Sequence, residues 1–125
     1  MATIEITEEN FNDTISNNDI VMLDFWASWC GPCRSFAPTF ERASNKHTDV
    51  TFGKINTEEQ QALAGSFNVR SIPTVSIFKE KVMVFSQPGA LHPPAIDSLL
   101  EQVRALDMDE VRKKIAEQQQ AEAQV

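Results

Sequence analysis

The chain of 125 residues has no apolar run long enough to cross a bilayer, no excess of basic residues and only two cysteines. A membrane-spanning helix needs about twenty apolar residues in succession, so we expect no membrane contact. Clustered Lys and Arg side chains are what bind phosphates, and a net charge of −7 therefore argues against nucleic acid as a partner. The N-terminal stretch MATIEITEEN has neither the positive nor the apolar segment of a secretory signal, which predicts a cytoplasmic protein.

The two cysteines, Cys30 and Cys33, form one C-x-x-C pair, and no second pair is present to complete a metal site. A structural zinc ion takes four ligands, and beyond methionine only His47 and His92 remain as candidates. These histidines lie 45 residues apart, whereas a Cys and His finger separates its histidines by about three to five residues. Such a pair is also not expected to persist as a structural disulfide in a reducing cytosol. The sequence therefore predicts redox chemistry and no metal site.

Apolar patterning predicts one domain in which strands alternate with helices and a hairpin closes the chain. The near-continuous apolar run DIVMLDFWA is typical of a strand buried on both faces. ATIEI, VTFGKIN, IPTVSIF and VMVFS predict four more strands, the last two joined through KEK. Four helices are predicted. The first spans residues 8–16 and is capped by Thr7, and the second spans residues 33–46 with a bend at Pro38. The third follows a capping box formed by Thr57 and Gln60, and the fourth begins at Pro93. The fold class is thus α/β, a central mixed sheet of about five strands flanked by about four helices.

The last residues, 107–125, lie beyond what such a fold needs, so we place the domain at 1–106 and a polar extension at 107–125. Asp107 or Asp109 could cap one more helix with a narrow apolar stripe. The segment EQQQAEAQV is polar and is expected to fray or stay disordered. This pattern favours a solvated appendage over an interaction helix.

A C-x-x-C pair at the start of a helix places its first sulfur beside free backbone N–H groups and the positive end of the helix dipole, which stabilise a thiolate. Cys30 is therefore predicted to be the nucleophile. Cys33, one step inside the helix, should be less exposed and suited to resolving a mixed disulfide. Pro32 suits the first helical turn, and Gly31 lets the chain turn and another backbone approach.

The motif WCGPC, with the Asp of DFWA six residues before its first cysteine and SIPT about forty residues later, resembles the thioredoxin family from the first strand to about Leu106. A C-x-x-C pair beside a βαβ pattern is itself a known signature of thioredoxin-like redox proteins, and three separated motifs are more specific than one. The resemblance implies the thioredoxin fold and a general protein thiol-disulfide oxidoreductase. Cys30 would attack a protein disulfide, Cys33 would release the reduced target, and a thioredoxin reductase would restore the dithiol with electrons from NADPH. No bound cofactor is implied, and we expect a monomer.

Asp24 lies among apolar neighbours in the predicted central strand. One possibility is that its carboxyl is buried, with a raised pKa that lets it exchange a proton with Cys33 directly or through a water. The other is that the carboxyl faces solvent at a sheet edge. We favour the buried position. Lys54 matches a position where thioredoxins often carry a lysine near that Asp, and a solvated lysine at a strand end fits the position nearly as well.

Pro73 begins a strand, where it is either an edge proline in trans or, as the resemblance implies, part of a cis Ile72–Pro73 bond packed against the cysteines. In the second geometry the backbone of Ile72 could pair with an extended target segment. The resemblance places an apolar rim around Cys30, formed by Trp29, Gly31, Pro32, Ile72, Pro73, Gly89 and Ala90.

Two other functions are open on these residues. The chain could be a thioredoxin-fold binding module whose redox activity is incidental, or a disulfide oxidase or isomerase. The latter usually carry a histidine between the cysteines and a secretory signal, and this sequence has Gly-Pro. Departures from the family pattern are Ser28, Thr57 and Lys81, the last in a hairpin turn that often has glycine.

Overall fold

A computed structural model describes residues 2–123, and its strands and helices follow the order that the patterning predicts. The elements are β1 (Thr3–Glu5), α1 (Phe11–Asn17), β2 (Ile20–Trp26), α2 (Gly31–Lys46), β3 (Thr51–Asn56), α3 (Gln61–Ser66), β4 (Thr74–Lys79), β5 (Val82–Pro88), α4 (Pro93–Arg104) and α5 (Met108–Ala123). The strands form one mixed sheet in the order β1-β3-β2-β4-β5. β1, β3 and β2 are parallel, β4 pairs antiparallel with β2, and β5 pairs antiparallel with β4. The predicted five-stranded mixed sheet is confirmed.

The central strand β2 has both faces covered, as its continuous apolar run predicts. Successive side chains of a strand point to opposite faces. Met22 packs into a cluster with side chains of α2 and α4, such as Phe40 and Leu100, and Leu23 packs into a second cluster with α1 and α3. Alternation therefore places Asp24 on the face that α2 and α4 cover.

Three helix starts differ from the prediction. α2 begins at Gly31, two residues before the predicted start. α1 and α3 begin later than predicted because local side chains make other bonds. Asn10 Oδ1 accepts from the Thr7 N–H at 2.8 Å and Thr7 Oγ1 accepts from the Asn10 N–H at 3.3 Å, which closes a turn, so α1 begins at Phe11 and not at Glu8. The predicted capping box after β3 is wrong. Thr57 Oγ1 donates instead to the Trp26 carbonyl at 3.1 Å, and α3 begins only at Gln61.

The turn between β4 and β5 consists of Glu80 and Lys81, with φ of 49° and 71°. Two residues in the left-handed region are what a two-residue hairpin turn of this twist requires, and Asn and Gly usually supply them. The Glu80 N–H donates to the Asp19 carbonyl at 2.8 Å, and its carboxylate accepts from Arg112 Nη1 of α5 at 3.1 Å. Lys81 thus does adopt a positive φ, in a turn that contacts on both sides hold in place.

The C-terminal extension is helical. Asp107 Oδ1 accepts from the N–H groups of Asp109 and Glu110 at 3.0 and 3.3 Å, so of the two candidate caps it is Asp107 that starts α5. Met108 is buried, and the helix continues to Ala123. The expectation that the segment beginning at residue 117 frays or is disordered is wrong up to Ala123. Residues 124 and 125 lie outside the described residues.

Lys79 joins the sheet to the junction between α4 and α5. Its ammonium group donates to the carbonyls of Val103, Arg104 and Leu106 at 2.9, 3.1 and 3.0 Å, and the residue is 6% exposed. The last carbonyls of a helix have no partner within the helix. A cation here satisfies them and complements the negative end of the helix dipole.

Candidate active site

The two cysteines lie where the end of β2 meets the start of α2. Cys30 is the N-cap of α2 with extended backbone angles, Pro32 lies in the first turn, and Cys33 follows inside the helix. The two sulfurs form a disulfide. Cys30 Sγ also accepts a hydrogen bond from the Cys33 N–H at 3.2 Å. The first sulfur is therefore at the positive end of a helix of 16 residues, where a negative charge on it is stabilised.

A second loop reaches the same sulfur from the other side. The Ile72–Pro73 peptide bond is cis, as the resemblance implies, and the Ile72 carbonyl oxygen lies 3.7 Å from Cys30 Sγ. The Gly89 N–H donates to the Pro73 carbonyl at 2.8 Å. Gly89 has φ of +104°, a conformation that side chains disfavour. This bond places Gly89 next to the cis peptide.

A cleft of about 480 Å³ opens beside the disulfide. Its lining consists of Trp29, Cys30, Gly31, Pro32, Thr57, Val69, Arg70, Ser71 and Ile72. Trp29 is 68% exposed, which excludes a role as a core aromatic. Four of the predicted rim residues, Trp29, Gly31, Pro32 and Ile72, therefore line one cleft with Cys30.

The other three predicted rim residues are not among those that line the cleft. Pro73 is buried, and Gly89 and Ala90 are exposed outside the cleft lining. Sequence reasoning missed Thr57 and the run from Val69 to Ser71. That run leads into the SIPT motif, whose first residue is Ser71, so its proximity to Ile72 in the sequence is the available signal.

Asp24 is fully buried, in register with Lys54 on β3 and Val75 on β4. Neither carboxyl oxygen has a hydrogen-bond partner among the described residues. Burial raises the pKa of Asp24 from 3.8 to about 7, while the positive charge of Lys54 opposes that rise. The alternative of a solvent-facing strand Asp is excluded.

Lys54 is partly buried, and its ammonium lies 5.0 Å from the centroid of the Trp26 ring. A cation at this distance from an indole face is attracted by the ring quadrupole. No ion pair joins Lys54 to Asp24 in the described part of the chain. The positive charge of Lys54 therefore lowers the pKa of Asp24 without an ion pair between the two groups.

His47 makes contacts that leave neither ring nitrogen for a metal. The Arg104 guanidinium can only donate, so His47 Nδ1 accepts from it at 2.9 Å, and Nε2 donates to Asp97 at 2.7 Å. Within residues 2–123 no three His, Cys, Asp or Glu side chains cluster closely enough to hold an ion. In the same range no helix is both long and apolar enough to cross a bilayer.

Comparisons with known proteins agree with the fold and the cysteine site described above. The family model for thioredoxin matches residues 2–105. A Streptomyces coelicolor protein assigned as thioredoxin 2 is 52% identical over 118 residues, which cover 94% of this chain and 88% of that protein. Thioredoxin C-3 of Corynebacterium nephridii is 42% identical over 103 residues, 82% of this chain and 71% of that protein.

Solved structures give the same result. A mutant thioredoxin from Halobacterium salinarum superposes with a TM-score of 0.77 at 33% identity, covering 84% of this chain and 93% of that one. The thioredoxin of Plasmodium falciparum superposes with a TM-score of 0.73, also at 33% identity, covering 80% of this chain and 97% of that one.

Proposed function

This chain belongs to the thioredoxin family and is a protein thiol-disulfide oxidoreductase, and within that activity we propose that Cys30 is the nucleophile, Cys33 the resolving thiol and Asp24 the proton acceptor. The observation that carries the assignment is the position of Cys30 Sγ at the N-terminus of α2, accepting the Cys33 N–H at 3.2 Å. On reduction the same donor and the same helix end stabilise a Cys30 thiolate.

Two exchange steps transfer two electrons to the target. In the first, the Cys30 thiolate attacks a target disulfide; a bond from Cys30 Sγ to the target sulfur forms, and the other target sulfur leaves as a thiolate. In the second, Cys33 loses its proton and attacks Cys30 Sγ. The Cys30–Cys33 disulfide forms and the second target sulfur leaves, so the target is a dithiol. Because Cys33 is held within one helical turn of Cys30, this step is intramolecular.

Asp24 is suited to the proton transfer of the second step. It lies on the sheet face that α2 covers, and with a pKa of about 7 its carboxyl is near half ionisation at neutral pH. Its oxygens have no other partner among the described residues. We assign Asp24 to accept the Cys33 proton, directly or through a water, and Lys54 to modulate its pKa.

Target segments are proposed to pair with the backbone around Ile72, which lies outside any strand. The N–H groups of Arg70, Ser71 and Ile72 have no backbone partner among the described residues. Main-chain pairing with an extended segment is tolerant of sequence, and Trp29 and Pro32 add apolar contact on the other wall of the cleft. Gly89 and Ala90 complete the proposed rim beyond Pro73.

Thioredoxins act on protein disulfides and are re-reduced by a reductase. For this chain we propose an NADPH-dependent thioredoxin reductase as the electron donor, a reducing cytoplasm as the compartment and a monomer as the working form. We also propose a domain boundary near Leu106, supported by the family match to residues 2–105.

The test is NADPH consumption with a thioredoxin reductase and a protein disulfide, run beside a Cys33→Ser variant that cannot resolve. Wild type should turn over, and Cys33→Ser should accumulate targets bound through Cys30. Trapping through Cys33 in a Cys30→Ser variant, with none through Cys30, would overturn the assignment. If a Cys30→Ser, Cys33→Ser double variant kept all cellular function while losing disulfide reduction, the chain would act as a binding module whose redox activity is incidental.

A further inference from the structure

One charged side chain lines the cleft beside Cys30. Of the nine lining residues only Arg70 carries a charge, and it is exposed. Among residues 2–123 its side chain has neither a hydrogen-bond partner nor an ion pair. We propose that Arg70 makes this cleft select target segments that carry a carboxylate close to the reactive cysteine. This inference rests on the proposed function and names a substrate class for it.

Other charges near the cysteines do not neutralise Arg70. Glu58 accepts from Ser28 Oγ at 3.2 Å, and Arg34 Nη1 donates to the Ser28 carbonyl at 2.8 Å. Neither is among the residues that line the cleft. A target segment in the cleft therefore meets one positive charge that no acidic lining residue balances.

The neighbours of Arg70 strengthen its effect on a bound segment. Trp29, Val69 and Ile72 are apolar walls of the same cleft, and a segment lying against them displaces water. A guanidinium binds a carboxylate through two parallel N–H bonds, and such a pair gains strength where water is excluded. A target segment with a lysine at the same place would be repelled by the positive charge of Arg70.

The local charge differs from that of the whole molecule. The chain carries −7 overall, so its long-range field disfavours acidic partners. That field is screened beyond about 10 Å at 0.1 M salt, whereas a contact inside the cleft is screened much less. Selection by Arg70 thus acts on the segment around the target disulfide and not on the net charge of the target protein.

The test uses two sets of disulfide-bridged peptides. In one set the residue before the reactive cysteine is Asp, Asn or Lys, and in the other set the residue after it is varied in the same way. Pre-reduced protein is mixed with each peptide without reductase, and its oxidation is followed by tryptophan fluorescence, since Trp29 adjoins Cys30. An exposed ion pair changes an equilibrium by up to about fivefold. We expect wild type to react about three times faster with Asp than with Asn in at least one set.

The Arg70 variants give the decisive comparison. Arg70→Gln should abolish the preference for Asp, Arg70→Lys should keep part of it, and Arg70→Glu should prefer the Lys peptide. Arg42→Gln changes the net charge equally at an exposed position of α2 outside the cleft lining and should keep the wild-type preference.

Equal rates for Asp and Asn in both sets, or an unchanged preference in Arg70→Gln, would overturn the role of Arg70. Reaction with the Asn peptides shows in the same experiment that exchange chemistry is intact. No exchange with any peptide would instead count against the proposed function itself.

Discussion

Asp24 and Lys54 are partners in the register of β2 and β3, yet no ion pair joins them. The lysine ammonium lies over the Trp26 ring at 5.0 Å, while the carboxyl is fully buried without a hydrogen-bond partner among the described residues. A buried carboxylate lacking partners favours its neutral form. The charge of Lys54 lowers the pKa of Asp24 again, which leaves it near 7 and not higher.

The first prediction concerns stability against pH. The pKa of Asp24 is about 7 in the fold and 3.8 ordinarily, so the folded state binds the proton more tightly than the unfolded state. The resulting stabilisation is fully present below about pH 4 and is lost as the pH rises to about 7. Each tenfold difference in proton affinity corresponds to about 1.4 kcal/mol, which makes this loss up to about 4 kcal/mol.

Asp24→Ala removes this ionisation cost and leaves a small cavity. We expect it to be more stable than wild type by about 2 kcal/mol at pH 8 and no more stable at pH 4. Urea denaturation of both proteins at the two pH values measures the difference. A variant less stable than wild type at pH 8 would contradict the burial of a costly charge.

The second prediction concerns the pH dependence of target release. A positioned general base contributes about a hundredfold or more, so Asp24→Asn should slow resolution of the mixed disulfide by at least about tenfold. The rate in wild type should rise with a midpoint near pH 7. In Lys54→Met the midpoint should move to higher pH, because the charge that lowers the pKa of Asp24 is gone.

Rapid-quench measurement of a pre-formed mixed disulfide supplies these rates. Lys113→Met, which removes an exposed charge on α5, serves as the control and should keep the midpoint. An unmoved midpoint in Lys54→Met would show that Lys54 does not act on the titrating group.

Local pattern was sufficient to predict the elements that position the site. The apolar run of β2 predicts a strand covered on both faces, and the burial of Asp24 follows from its neighbours in that run. The polarity of the segment from residue 117 predicts fraying or disorder, whereas its composition favours the helix that the structure shows up to Ala123. Ala, Glu, Gln and Lys are strong helix formers, and they make up most of the segment after Arg112.

What pattern could not supply are bonds between distant residues. The hydroxyl of Thr57 looked like a helix cap, but it donates to Trp26, 31 residues earlier in the chain. The three carbonyls that Lys79 binds lie 24 to 27 residues further on. Arg70 is likewise brought to Cys30 only by the fold. In each case a tertiary contact determined the role of a side chain with no distinctive local pattern.

The third prediction is a pair of glycine substitutions. A Cβ at Gly53 on β3 would lie 2.5 Å from Ile6 Cγ1 and 3.0 Å from a methyl of Leu23, both buried. Gly53→Ala should therefore destabilise the fold by about 1 to 3 kcal/mol. Gly65 in α3 has open space around such an atom, so Gly65→Ala should stabilise by about 0.5 to 1 kcal/mol through helix propensity. Thermal melts that shift in the same direction for both variants would contradict this.

The last prediction concerns Lys79, which binds three carbonyls where α4 ends and the path to α5 begins. Lys79→Met keeps the apolar stem but leaves these carbonyls without the cation, and unpaired buried acceptors cost about 1 to 3 kcal/mol each. In the wild type, the cost of burying the ammonium group cancels part of the stability that these bonds contribute. We therefore expect the free energy of unfolding, measured by urea denaturation, to fall by about 2 kcal/mol. Lys79 lies at the end of β4 that is remote from Pro73, so the rate of thiol exchange in the folded variant should be unchanged. Lys113→Met is again the matched control, and a loss of stability equal to its own would show that the three bonds contribute nothing.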